Sequence, residues 1–434
     1  MLGIPERIRF LINRLRQQLW VKPLFAGILS IIAALIARAA DLTTLDQIVP
    51  RISADSVYDL LTVMASSMLV IATFGVASMV SAYASASDTA SPRAFPLVIA
   101  DDSSQRAISV FLGAFIFSIV GLIVLRNQYF GVAGRFALFV FTIVAFGAVV
   151  TTFVGWMDNI ARLGRIVNTV EKVEAATAAA LKRRREAPAL HGVPVNADPG
   201  PLPGVPVFAE SVGYVQRIDV AALQSCAEAM NGRIRAAALP GTFVTPQHVL
   251  ASIEIPSDTG DDLDHQEVVR AFKVDPEREF TDDPRYGLTV LSQIAGRALS
   301  PGINDPGTAI DVIGTLVRLL VIWSSTDNGD NHSDVEYDCV EVPELSTRDM
   351  FDDAFTAISR NGSGSVEVVT RLMEALSSLA GTGDPSMRDA AIHHAQRAVA
   401  YAERGLLLPQ EIDSVRTMAR TVRNADRGGS QEQD

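Results

Sequence analysis

Cysteine is scarce in this chain. Two occur in 434 residues, Cys226 and Cys339, far apart, without C-x-x-C spacing or a histidine at metal-ligand spacing. This excludes a disulfide framework and reads as two reduced thiols in a reducing compartment rather than one long-range bridge. Catalytic signatures are missing as well: there is no Walker loop, dinucleotide fingerprint, nucleophile elbow or zinc motif. The adjacent His393 and His394 point about 100° apart on a helix and share a metal poorly. The acidic loop TDNGDNHSD at 326–334 lacks the ligand ladder and closing glutamate of a calcium loop. No catalytic, cofactor or metal residue is therefore assigned.

Charge is absent from the cores of four long apolar runs, 21–39, 57–83, 107–125 and 136–156. Each reaches the ~20 residues a helix needs to cross hydrocarbon, and lipid tolerates only helices in such runs. Ala37-Arg38-Ala39 has the form of a signal-peptidase site, but twenty residues precede the run, so an uncleaved span is expected. The missing intramembrane charges, with no inverted repeat, argue against an ion-coupled carrier.

What is present is strongly asymmetric. Residues 1–185 hold 18 basic and 11 acidic side chains, and the remainder holds 19 and 38. A basic, apolar first part joined to an acidic second part is a membrane anchor with a soluble module, not a nucleic-acid binder. Residues 1–20 form a basic amphipathic helix suited to an anionic leaflet. Arginines and lysines cluster before the first run and after the fourth, which places both termini in the cytoplasm. The expected fold is an α-helical membrane domain of four transmembrane helices with a mostly helical, cytoplasmic α+β domain.

Small residues fall at close-packing spacing on the runs. Gly75 and Ser78 share a face of the second, Gly121 lies on the third, and Gly147, Thr151 and Gly155 repeat every four residues on the fourth. They are expected at a packing face, a subunit interface or a pore. The polar loop at 84–106 carries Asp88, Arg93, Asp101 and Asp102. Asp101 or Asp102 caps the next helix, and the patch at 95–100 dips into the interface. Asp88 and Arg93 are left without a structural duty and become candidate functional residues.

Beyond the runs, 157–186 reads as a continuous stalk helix and 187–206, with six prolines, as a linker. A small β-containing module is expected over 207–260. Its phrase IRAAALPGTFVTPQHVLASIE is similar to half of a lipoyl-type barrel, without the lysine at its tip that would carry a cofactor. Residues 261–423 read as helical, and 424–434 as a disordered tail. Asp283-Pro284, Asp305-Pro306 and Asp384-Pro385 each announce a helix start. Asn304 and Asp305 form a candidate cytoplasmic corner, either a site or a capped turn.

Three stretches, SAYASASDTASPRAFPLVIADDSSQRAISVFLGAFIFSIVGLI, DDPRYGL and RALSPGINDPGTAID, resemble the bacterial predicted membrane proteins grouped as domain of unknown function 2254. The resemblance spans about residues 5–425. It implies four N-terminal spans and a cytoplasmic C-terminal region, and brings no activity or site. Taken together, the sequence points to a passive oligomeric channel or permeation protein of the inner membrane with a regulatory cytoplasmic domain. The alternative is a membrane-anchored sensor or scaffold that binds a cytoplasmic partner or small ligand without a pore. The expected partners are the lipid bilayer and further copies of the chain, with no nucleic acid.

Overall fold

A computed structural model describes residues 21–41, 49–89, 91–99, 102–162, 165–195, 202–255, 265–324 and 335–424. The chain divides into two compact units, Met1–Thr169 and Val170–Asp434. It is mostly helical, with a sheet-containing region in the second unit.

The first unit is built from α1 (Val21–Ala40), α2 (Ala54–Thr89), α3 (Phe95–Ile99), α4 (Asp102–Arg126) and α5 (Val132–Arg162). Helix α4 packs against α1, α2 and α5 and is the centre of the bundle. Leu61, Phe111 and Leu138 are fully buried there, and the Phe111 ring meets Trp156 edge-on at 5.7 Å. Lipid tails are as apolar as leucine, so such helices associate by close fit rather than by the hydrophobic effect. Gly75 leaves room for the Trp156 ring, and Gly121 for Leu61 and Leu138. The patch at 95–99 forms the one-turn helix α3, which packs on α2 through a Tyr83–Phe95 edge contact at 5.9 Å.

Four helices are long and apolar enough to cross a membrane: Ala54–Ala84, Ser104–Arg126, Val132–Met157 and Pro306–Ser324. The last was not among the expected spans. In place of run 21–39 there is a shorter apolar stretch, Gly27–Ala39, within α1. Pro306–Ser324 (α10) buries Val312, Leu316, Leu319 and Leu320 inside the second unit, and its Arg318 pairs with Glu174 at 2.6 Å. Length and hydropathy alone do not separate a buried core helix from a span.

The second unit begins within α6 (Ile166–Glu186). The expected unbroken stalk is not found. Helix α5 ends at Arg162 and Arg165 is outside any helix, so the chain restarts at Ile166. From Val170 on, α6 buries Val173, Thr177, Ala180 and Leu181, and its basic end is engaged. Arg184 donates to the Pro343 carbonyl at 3.0 Å, Arg185 to that of Ile322 at 2.8 Å, and Arg183 to that of Thr281. Burial pulls the Arg184 guanidinium down to about 10.

Two sheets follow. The strands are β1 (Gly192–Val195), β2 (Val205–Phe208), β3 (Gly213–Ile218), β4 (Arg233–Ala236), β5 (Phe243–Val244), β6 (Val249–Glu254), β7 (Phe272–Asp275) and β8 (Tyr337–Pro343). One sheet has the order β1-β8-β4-β6-β2, and the other β5-β3-β7. Two expectations are corrected here. The proline-rich stretch is not merely a linker: it supplies β1 and β2, the two edge strands, where Pro194 and Pro206 are tolerated. The stretch similar to half of a lipoyl-type barrel supplies β4 and β6 to the five-stranded mixed sheet and β5 to the other sheet, and the inner strand β8 of the five-stranded sheet comes from the part expected to be helical. In β8, Val340 and Val342 are buried on either side of Glu341, a period of two.

The helices of this unit are α7 (Val220–Ala229), α8 (His265–Arg270), α9 (Pro284–Ala298), α10, α11 (Thr347–Asn361), α12 (Val366–Ala380), α13 (Pro385–Gly405) and α14 (Pro409–Asn424). Helix α11 lies against α9 and α13, and α12 against α10, α13 and α14. Phe351 and Phe355 of α11 are fully buried, each contributing roughly 1.5–3 kcal/mol of transfer free energy.

In the first unit one carboxylate does the work of a cap supplied from elsewhere. Asp41, in the turn after α1, accepts the backbone N–H groups of Gly131 at 2.7 Å and Gly134 at 2.6 Å, at the start of α5. A Cβ at Gly131 would lie 2.7 Å from that carboxylate. Replacing Asp41 with alanine leaves two helix N–H groups unpartnered and should cost about 1–2 kcal/mol, as should Gly134→Ala by displacing the carboxylate. Thermal unfolding of the detergent-solubilised protein reads this: unchanged midpoints for both variants would refute the capping role.

Candidate functional site

The residue that organises the second unit's polar cavity is Asp283. It precedes α9 and accepts the Tyr286 N–H at 3.0 Å, capping the helix. The side chain is 2% exposed. Arg278 grips it with two bonds, Nε to Oδ2 at 2.7 Å and Nη2 to Oδ1 at 3.1 Å, and lies 4.9 Å over the Tyr286 ring. Gly241, at φ 93°, turns the chain where a Cβ would collide with the same carboxylate.

Arg285, in the first turn of α9, is answered from α11. Its Nε donates to Asp353 at 2.6 Å and its Nη1 to Asp349 at 2.8 Å. Four residues apart, Asp349 and Asp353 share a face and would repel each other without the guanidinium between them. Arg278, Arg285 and Asp349 line a cavity of about 530 Å³, completed by the Pro240–Thr242 turn and by Leu202, Leu239 and Leu345. Burial pushes the carboxyls of Asp283 and Asp353 above the usual range, and their arginines partly offset this. Arg285 also acts on Asp283, and Arg278 on Asp353, so the two pairs form one electrostatic group. Neither of these two carboxyls lines the cavity; the arginines they hold do, and a cavity lined by guanidiniums positioned in this way is a candidate site. The arrangement can hold a charged or strongly polar small molecule. Among the described residues no group of three or more metal-ligating side chains is found.

The candidate residues of the second unit, Asn304 and Asp305, do not line this cavity. The side chains of Asp88, Asp101 and Asp102 lie outside the described residues. Arg93 is exposed in a short turn in which the Ser91 hydroxyl accepts its N–H at 3.3 Å. Asn304, at φ 52°, and Asp305 are exposed. Asp305 takes the Thr308 hydroxyl at 2.6 Å and N–H at 3.1 Å, bonds that hold its carboxyl below the usual range, and so it caps α10. The small residues separate by direction: Gly75 and Gly121 are buried, Ser78 is half-buried, and Gly147, Thr151 and Gly155 are exposed. Cys226 and Cys339 form no disulfide. Sequence reasoning missed Arg278, Arg285, Asp349 and Asp353, although the Asp349/Asp353 spacing was a readable signal.

Residues 16–378 match the family described as predicted membrane protein DUF2254. The chain belongs to this family. In this DUF2254 protein every cavity residue lies within the matched segment. Similar proteins include the uncharacterized proteins Mb1321c of Mycobacterium bovis and Rv1290c of Mycobacterium tuberculosis. Each is 29% identical over 53% of this chain and 51% of its own length. The chain thus spans about half the length of the curated relatives it matches. No solved structure matches it.

A second ionisable cluster lies in the same unit. His394 of α13 is fully buried against Phe351 and Phe355. Its Nε2 is 3.3 Å from Asp352 without hydrogen-bond geometry, and neither ring nitrogen has a hydrogen-bond partner. Burial lowers its pKa to about 4; Asp352 works against this, whereas Arg397, His393 and Arg348 add to it. A folded pKa below the unfolded 6.5 means the unfolded chain binds the extra proton first. Stability is therefore complete above pH 6.5 and falls as pH drops toward about 4, by on the order of 3 kcal/mol. The Asp352 carboxyl, held below its ordinary value, adds its loss only at lower pH. His394→Leu should keep neutral-pH stability and flatten this acid limb in pH-dependent unfolding. An unchanged limb would assign it to other groups.

Proposed function

We propose that this DUF2254 protein is a membrane-anchored binding protein. In this reading its helical unit fixes it in the bacterial inner membrane with both termini in the cytoplasm, and its second unit takes a small ligand into the Arg278–Arg285 cavity. The observation that carries the reading is that cavity, in which two guanidiniums are held by buried or half-buried carboxylates beside apolar walls. Preformed concave pockets of this size with precisely placed polar groups are characteristic of small-molecule sites. The flanking arginines and lysines support the orientation. The spans in this reading are α2, α4 and α5, with α1 as the fourth crossing.

The solid interior of the helical unit favours binding over permeation. Leu61, Phe111, Leu138 and Trp156 fill the space where its helices meet. A second reading keeps one supporting observation. Gly147 and Gly155, with no neighbouring atom within 4 Å of a Cβ built on them, face outward, and several copies could join along that stripe to enclose a pore.

Small-molecule extracts, split on anion- and cation-exchange resins, can be screened against the full-length protein in nanodiscs. At least one fraction should raise its unfolding midpoint by about 2–5 °C. Planar bilayers carrying the same preparation should show no conductance. Failure of every fraction to shift the midpoint, together with stepwise currents, would favour the channel.

A further inference from the structure

We infer that the cavity takes a small organic monoanion, a carboxylate on an apolar body, and that Asp349 is its built-in competitor for Arg285. The inference rests on the binding-protein reading and names its ligand class.

The two carboxylates on Arg285 are not equivalent. Asp353 is the inner one, 22% exposed and bonded at 2.6 Å. Asp349 is 48% exposed and contributes one bond, at 2.8 Å, to the terminal nitrogen. An ion pair with one partner half in water is weakly held. The outer side of a guanidinium fork accepts a planar carboxylate by two parallel bonds, which a single-bonded side chain does not match. A ligand carboxylate can therefore displace Asp349 while Asp353 keeps the guanidinium in position.

Charge decides the class. Arg278, Arg285, Asp283, Asp349 and Asp353 already hold three negative groups against two positive ones. A monoanion that replaces Asp349 leaves the count at Arg285 unchanged once that side chain swings into solvent. A phosphate dianion adds a further negative charge beside buried carboxylates, where it is poorly screened. The walls at Leu202, Leu239, Leu345, Pro240 and Pro343 fit an apolar body and give a simple inorganic anion nothing to bind. Asp349 lies in the first turn of α11, its N–H accepted by Ser346 at 3.2 Å, so its release loosens nothing in the helix backbone.

The test uses full-length protein in nanodiscs and three probes of one shape: 3-phenylpropionate, its neutral amide and the corresponding amine, titrated by calorimetry. The acid should bind the wild type with a Kd below about 10 mM and bind Asp349→Asn about 10-fold more tightly. Arg285→Gln should lose the acid. The Asp349→Asn gain does not depend on that variant folding. Equal or weaker binding of the acid by Asp349→Asn overturns the proposal, as does preference for the amide or amine, or no acid binding by either protein. Binding of the amine or amide alone leaves the binding-protein reading standing and removes only the anion. If no probe binds, the inference falls, and the fractionated extracts decide the wider reading.

Discussion

A carboxylate with 2% exposure is expensive to keep ionised, and the second unit depends on how that cost is met at Asp283. Removing such a group from water costs several kcal/mol, even after relaxation. Two bonds from Arg278 and one from the Tyr286 N–H offset it, and the positive end of α9 contributes further. Each partner comes from a different place: Arg278 from the segment after β7, Tyr286 from α9, and the closely approaching Gly241 from the turn before β5. The strands and helices are thereby joined at a point where an unpaired charge would be intolerable. The cavity forms beside this junction because the same arginines that hold the carboxylates also reach its wall.

The helical unit solves a related problem without ions at its centre. Its interior is filled by ring and branched side chains, with glycine where a large neighbour needs space. A charge duty it does carry is peripheral, where Asp41 accepts the first N–H groups of α5. A carboxylate reaching from one helix to the start of another fixes both relative to each other, which capping within a single helix cannot do.

Much of the architecture was legible in the chain. The apolar runs, the Asp-Pro helix starts and the β-containing module that begins at 207 are local signals, each carried by a few neighbouring residues. What escaped was long-range. β8 lies far downstream of the strands it joins, and nothing near YDCVEVP names its partners. The prolines at 188–206 outweighed the two short strands among them. Helix α10 is apolar enough to resemble a span, and its burial depends on neighbours distant in sequence. The cavity was hidden for the same reason: Arg278 and Arg285 lie close together in the chain, but Asp349 and Asp353 reach them only after two helices, a loop and a strand.

The placement of Pro194 and Pro206 has a consequence for how copies of this chain can meet. An open sheet usually offers its rim to any extended backbone, its own or a stranger's. Here each outermost strand has a missing donor in its middle, so neither rim presents an unbroken row for a further strand. The sheet is closed to growth at both sides by composition alone. Where local concentration is high, addition of a further strand to the five-stranded sheet is thereby hindered at both of its rims.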